Sequence, residues 1–217
     1  MMDFEQARFN MVEQQIRPWD VLDLEVLDTV MAVKRELFVP EASHNLAFSD
    51  IQVPLLNGQV MLEPKIEAKV LQALALRKTD QVLEIGTGSG YMAALLAAHS
   101  EWVRTIERDH ALAAFATANL HRADVQNVIV EEGDGANGWP TRAPYDAIVI
   151  SGGLYEVPRA ILEQLKPEGR LIAFVGAAPV MTCELTTCVA EGRFETVKLF
   201  ETLVPMLHAP APERFVF

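Results

Sequence analysis

Three glycines at every second position, in Gly86-Thr87-Gly88-Ser89-Gly90, and the acids Glu84, Glu107 and Asp134 are the residues best suited to do chemistry. A turn without Cβ atoms lets a ligand lie against the backbone, and a carboxylate accepts from ribose hydroxyls or an exocyclic amine. Together they describe a nucleoside site. The dinucleotide fingerprint G-x-G-x-x-G counted from Gly86 needs a glycine at 91, where Tyr91 stands, which weakens a pyrophosphate reading. Glu107, twenty-one residues after Gly86, closes the strand pattern Trp102 to Ile106 and is the candidate ribose ligand. The plain alternatives are an ordinary βα turn for the glycines and a solvated strand-end acid for Glu107.

The elements that must position these groups follow from periodicity. Val82 to Ile85 reads as a buried strand running into the glycine turn, and Tyr91 to Ala98 as the helix that the turn opens. Asp109 to Arg122 is helix-like, Val125 to Glu131 strand-like, and Gly133-Asp134-Gly135 a turn. Tyr145 to Ser151 and Gly169 to Val175 read as buried strands on either side of a helix from Val157 to Leu165. Such alternation predicts a doubly wound, mostly parallel sheet with helices on both faces. Met181 to Val189 and Phe194 to Leu203, around Glu191-Gly192-Arg193, predict an antiparallel hairpin that closes it. Before the sheet come two helices within residues 3 to 32, broken at Arg17-Pro18, with Asp20 or Asp23 capping the second. A mixed stretch from Glu41 to Glu63 follows, then a helix starting at Pro64. The expected division is an N-terminal extension, 1–63, packing over the pocket, and a nucleoside-binding core, 64–217.

Composition narrows the classes. Thirty acids against 18 Lys and Arg give a formal net charge of −12, a field that repels nucleic acid and anionic membrane. No apolar run suggests a membrane span, and the first residues do not read as a signal peptide, so a cytoplasmic protein is expected. Cys183 and Cys188 lie five apart on an expected strand and point to opposite faces, as packing thiols. The five histidines have no metal-ligand spacing. Oligomeric state is not encoded legibly.

Glu84-x-Gly86-x-Gly88-x-Gly90 resembles motif I of the class I S-adenosylmethionine-dependent methyltransferases. Further segments extend the likeness over nearly the whole chain: Met11 to Ile16, Phe38-Val39-Pro40, Gly58-Gln59, Ile106-Glu107-Arg108, Gly133-Asp134-Gly135 with Gly138-Trp139-Pro140, Ala143 to Asp146, Leu162 to Leu171, and Val204-Pro205. In this order they are similar to protein-L-isoaspartate O-methyltransferase, a family that methylates the α-carboxylate of isoaspartyl residues in damaged proteins. The resemblance implies S-adenosyl-L-methionine as cofactor, S-adenosyl-L-homocysteine as product, and an isoaspartyl-bearing protein or peptide as partner. It implies cofactor contacts from Glu84, Gly86, Thr87, Gly88, Gly90, Tyr91, Glu107, Arg108, Asp134 and Gly135, with Met61 facing the cofactor or packing. Asp134 then meets the adenine amine, Gly135 lets the ring lie close, and Glu84 meets the cofactor's ammonium or the loop amides.

The chain departs from that pattern at both walls of the acceptor pocket. Val60, Met61 and Leu62 stand where the family has Thr-Ile-Ser, and Ser151-Gly152-Gly153-Leu154-Tyr155 replaces Thr-Ala-Ala-Ala-Pro. Gln59 and Ser151, with the backbone of Gly152 and Gly153 and with Tyr155, are the expected substitutes that orient the acceptor. Val60 and Leu62 line its pocket, and His208 on the C-terminal turn lies near it. Three readings stay open: isoaspartyl repair, a methyltransferase of this fold with a less polar acceptor, and a non-catalytic cofactor-binding protein.

Overall fold

The computed structural model describes residues 3–207. Its centre is a seven-stranded sheet in the order β5-β4-β3-β6-β7-β8-β9. The strands are β3 (Gln81–Ile85), β4 (Trp102–Glu107), β5 (Val128–Glu132), β6 (Tyr145–Leu154), β7 (Leu165–Ala177), β8 (Val180–Ala190) and β9 (Arg193–Thr202), after a two-stranded hairpin of β1 (Val53–Pro54) and β2 (Val60–Met61). From β5 to β7 all neighbours are parallel, and β8 and β9 add antiparallel. Strand order therefore reverses beside β3, where a doubly wound sheet opens a crevice at its carboxyl edge.

Each strand of the parallel part sorts its residues between two cores by alternation. Val82 and Val103 enter the larger cluster, which gathers α3 (Pro64–Leu74), α4 (Tyr91–Ala97) and Leu112 and Leu120 of α5 (His110–Arg122). The same cluster takes in Met11, Val26, Phe38 and Met61 from the N-terminal segments. Leu83, Ile106 and Ile148 enter the other cluster, covered by Ile161 and, at its margin, Trp139 and Phe194. Cys183 belongs to the first core and Cys188 to the second, both as free thiols, as their spacing predicts.

Three local expectations change. The helix expected over Val157 to Leu165 is only α6 (Arg159–Leu162), because Pro158 opens it and Leu165 already pairs with Tyr145 in the sheet. Asp23, not Asp20, caps α2 (Leu24–Ala32): its carboxylate accepts from the amides of Glu25 and Val26, whereas Asp20 sits in a left-handed turn at φ 65°. The first helix, α1 (Phe4–Met11), continues as a π-helical turn to Ile16 before Pro18. Among the described residues no helix is long and apolar enough to cross a membrane.

Between the two N-terminal helices and α3, the irregular stretch is held by buried cations, Arg8 of α1 pairing with Glu36 and Arg35 making the larger set of contacts. Arg35 donates through Nε to the Ala47 carbonyl at 3.0 Å and through Nη2 to the Leu62 carbonyl at 2.6 Å, and it pairs with Glu67 of α3. Its guanidinium lies 4.8 Å from the centre of the Tyr91 ring. Four separated segments thus meet on one side chain with no exposed surface.

Candidate active site

Backbone register builds the floor of the crevice. Ile85 pairs across to Ile106 on one side and to Ile150 on the other, so three neighbouring strands bring apolar residues level at the end of β3. All three line a cavity of about 340 Å³, the size of a small-ligand site. The chain then turns at Gly86 (φ 93°), Gly88 (φ 54°) and Gly90 (φ 84°), angles that a residue with a Cβ rarely adopts. Gly86 donates to the Ile106 carbonyl at 2.9 Å, which pins the start of the loop on β4.

The rim is acidic. Glu107, at the end of β4, lines the cavity while Oε2 accepts from the Gly88 amide at 2.9 Å and Oε1 from the Asp109 amide at 3.0 Å. Asp134 also lines it and accepts from the Ala136 amide at 2.9 Å. Gly135 has no room for a side chain, since a Cβ there would stand 2.8 Å from Cγ2 of Ile85. Asp109 caps α5 and accepts from Asn57 of the β1–β2 connection at 2.7 Å. Those bonds, the Leu112 amide first, hold its carboxyl below the usual range.

Of the residues singled out from the sequence, the cavity brings together Gln59, Gly86, Glu107, Arg108, Asp134 and Gly135. Several others sit elsewhere, for identifiable reasons. Glu84 is fully buried beneath the loop: Oε1 accepts from Ser151 at 2.8 Å and Oε2 from Thr105 at 2.6 Å, so its expected partners, an ammonium or the loop amides, are replaced by two hydroxyls. With burial outweighing those bonds, its carboxyl is pushed up to about 8. Ser151 is thereby engaged inward and does not line the cavity. Thr87 is buried on Thr105, and Gly88 meets Glu107 through its amide.

Gly90 serves packing: a Cβ there would lie 3.3 Å from Ala116 and Leu120 of α5. Tyr91 turns into the N-terminal core, against Arg35 and Phe38. Met61 and Leu62 are buried in that same core, and Val60 is half-buried outside the cavity lining.

The other wall is corrected by the chain's own C-terminal segment. Gly153 donates to the Pro205 carbonyl at 2.8 Å and accepts from the Leu207 amide at 2.9 Å, so its backbone is taken. A Cβ on Gly152 would stand 2.7 Å from Leu207. Met206 and Leu207 thus form the wall that Gly152 and Gly153 were expected to form, and Tyr155 stands exposed beyond it. His208 lies outside the described residues. Ile85, Ile150, Asp109, Leu154, Ile161, Met206 and Leu207 were not foreseen as lining residues. Position at a strand's carboxyl end could have flagged the isoleucines; nothing in the linear order flags Leu207.

A doubly wound sheet with its cavity at the reversal of strand order is the arrangement of the nucleotide-binding α/β proteins. The family model described as protein-L-isoaspartate(D-aspartate) O-methyltransferase matches residues 7–203. A Syntrophobacter fumaroxidans protein-L-isoaspartate O-methyltransferase 1 is 42% identical over 90% of this chain and 92% of its own length. The Opitutus terrae protein-L-isoaspartate O-methyltransferase is 39% identical over 98% of this chain and 88% of its own. The chain belongs to the protein-L-isoaspartate(D-aspartate) O-methyltransferase family. Among solved structures, a protein-L-isoaspartate O-methyltransferase superimposes with a TM-score of 0.81 at 24% identity over 93% of this chain and 66% of that one. A Plasmodium falciparum protein of that description, in complex with S-adenosyl-L-homocysteine, gives 0.80 at 19% identity over 95% and 99%. Both share the fold.

Proposed function

We propose that this chain transfers the methyl group of S-adenosyl-L-methionine to the carboxylate of isoaspartyl residues in proteins. The observation that carries the reading is membership of the family across nearly the full chain, with relatives of that description at about 40% identity. The residues at the cavity fit the cofactor. Gly135 leaves a flat approach above Ile85, Asp134 offers a carboxylate for an exocyclic amine, and Glu107, already oriented by two amides, keeps lone pairs for a ribose diol. When bound, the cofactor supplies an electrophilic methyl on sulfur. The acceptor carboxylate is ionised at neutral pH, so the protein need not move a proton. Its work is orientation and exclusion of water.

In this proposal Met206 and Leu207 close the apolar side of the cavity, and Gln59 presents a carboxamide from the β1–β2 side. Residues up to 63 act as the acceptor-side extension and 64–217 as the cofactor-binding core. The partner is an isoaspartyl-bearing protein. The two buried free thiols accord with a cytosolic setting.

A second acceptor class is favoured by one observation. Val60 and Leu62 carry no hydroxyl, and the Ser151 hydroxyl is spent on Glu84, so among the described residues Gln59 is the uncharged polar side chain left on the cavity wall. That suits a less polar acceptor. Incubation with methyl-labelled S-adenosyl-L-methionine and paired isoaspartyl and aspartyl peptides separates the readings. Ester formation on the isoaspartyl peptide alone is expected; cofactor binding without any such ester rejects repair.

A further inference from the structure

We infer that Thr105 is a positioning residue for the cofactor loop, holding Thr87 in place through its hydroxyl while anchored on Glu84. The inference rests on the cofactor reading above and adds a residue that motif comparison does not single out.

The geometry is a chain of four groups below the cavity floor. Ser151 Oγ donates to Glu84 Oε1 at 2.8 Å, Thr105 Oγ1 donates to Glu84 Oε2 at 2.6 Å, and Thr87 Oγ1 lies 2.7 Å from Thr105 Oγ1. Either hydroxyl can donate in the Thr87–Thr105 bond, since a protonated Glu84 can itself donate to Thr105. One carboxyl thereby ties Ser151 of β6, Thr105 of β4 and, through Thr105, the second residue of the glycine turn. Thr105 and Glu84 have no exposed surface, so no water competes for these bonds.

Packing alone does not account for the arrangement. Valine has nearly the shape of threonine and a higher preference for the interior of a strand, and β4 already uses Val103 beside it. A buried carboxyl without a cation is expensive, and the charged groups around this one make it more so. Glu67 of α3, itself paired with Arg35, and Glu107 at the end of β4 are both acids and push against ionisation of Glu84. An apolar set would be cheaper. What the polar chain of four supplies is direction: Thr87 follows Gly86, which has the conformational freedom of φ 93°, and a hydrogen bond to a rigid strand of the sheet removes that freedom. The loop is then preset for its ligand.

The experiment uses the full chain and S-adenosyl-L-homocysteine or S-adenosyl-L-methionine in calorimetry. Thr105→Val loses the buried bonds to both Glu84 and Thr87, and through the second, which orders the loop, it is expected to weaken cofactor binding about tenfold. With an accepted peptide, KM for the cofactor should rise by a like factor while kcat stays within about twofold. Thr105→Ser, which keeps the hydroxyl and loses the methyl, should bind as the wild type does. Thr87→Val, approached from the loop, should reproduce the weakening, and the double variant should be no weaker than Thr105→Val, which has already lost the Thr87 bond. Thr105→Val binding as tightly as wild type, or Thr105→Ser as weakly as Thr105→Val, overturns the inference. Additive losses in the double variant overturn it too. Wild-type protein that binds neither ligand overturns the cofactor reading itself, a result distinct from equal binding by wild type and variant.

Discussion

Replacing Arg35 by methionine tests how the N-terminal segments are held over the core. The substitution removes donors from the Ala47 and Leu62 carbonyls, the partner of Glu67, and the cation over Tyr91. Breaking a buried pair from one side costs about 3–5 kcal/mol, most of it the penalty of the charge left behind. Glu67 sets the pH at which that penalty applies. Burial pushes its carboxyl up to about 7 against the pull of Arg35, so the pair is ionised at pH 8. Without Arg35 the carboxyl takes up a proton more readily, and the cost of the variant should shrink toward pH 5.5. Glu67→Leu alone should also destabilise strongly. In the double variant Arg35→Met/Glu67→Leu no unpaired charge remains, and it should fall short of the summed single losses by at least about 2 kcal/mol. Urea denaturation of the four proteins at pH 8 measures this cycle. Single losses that add to within about 0.5 kcal/mol would falsify the idea that the pair acts as a unit. Because Arg35 also fixes Leu62, next to β2, Arg35→Met should raise KM for the acceptor more than for the cofactor.

Other expectations concern the floor and rim of the cavity. Glu84 has a folded value of about 8 against an ordinary 4.5, so the native state favours its proton and loses stability as pH rises between those values. Relative to Glu84→Gln, wild type should lose about 1.4 kcal/mol per pH unit, on the order of 4–5 kcal/mol in all, as an upper limit. Denaturation at pH 5, 7 and 9 reads the difference, and a gap that does not move excludes burial as the cause. Gly135→Val places a Cβ 2.8 Å from Cγ2 of Ile85, too close for two carbons. It should lower stability by about 1–3 kcal/mol and abolish calorimetric cofactor binding; unchanged binding refutes the adenine placement. Glu107→Ala strips acceptors from the Gly88 and Asp109 amides and should weaken cofactor affinity about 10- to 100-fold, against little change if the acid only caps the loop.

Most of the sheet was legible in the chain because its signals are local. The nearly continuous buried runs of β3 and β4, glycines at 86, 88 and 90 and the proline at the start of α3 each act within a few residues. So do the acids at strand ends, and Glu107 and Asp134 reach the cavity because a parallel strand delivers its last residue to the carboxyl edge. The family pattern named the cofactor from residues that the same local rules place.

What linear order could not decide is which way a side chain turns when two neighbours compete for it. Tyr91 follows the glycine loop yet packs on Arg35, fifty-six positions earlier, because helix α4 presents its first residue to the N-terminal core. Glu84 lies beneath the loop because strand alternation buries it, and only the register of β3 with β4 and β6 sets Thr105 and Ser151 beside it. The acceptor-side wall was hidden most completely. Gly152 and Gly153 read as an open backbone until Pro205 and Leu207 occupied it, a contact whose energy depends on chain segments about fifty residues apart being folded together.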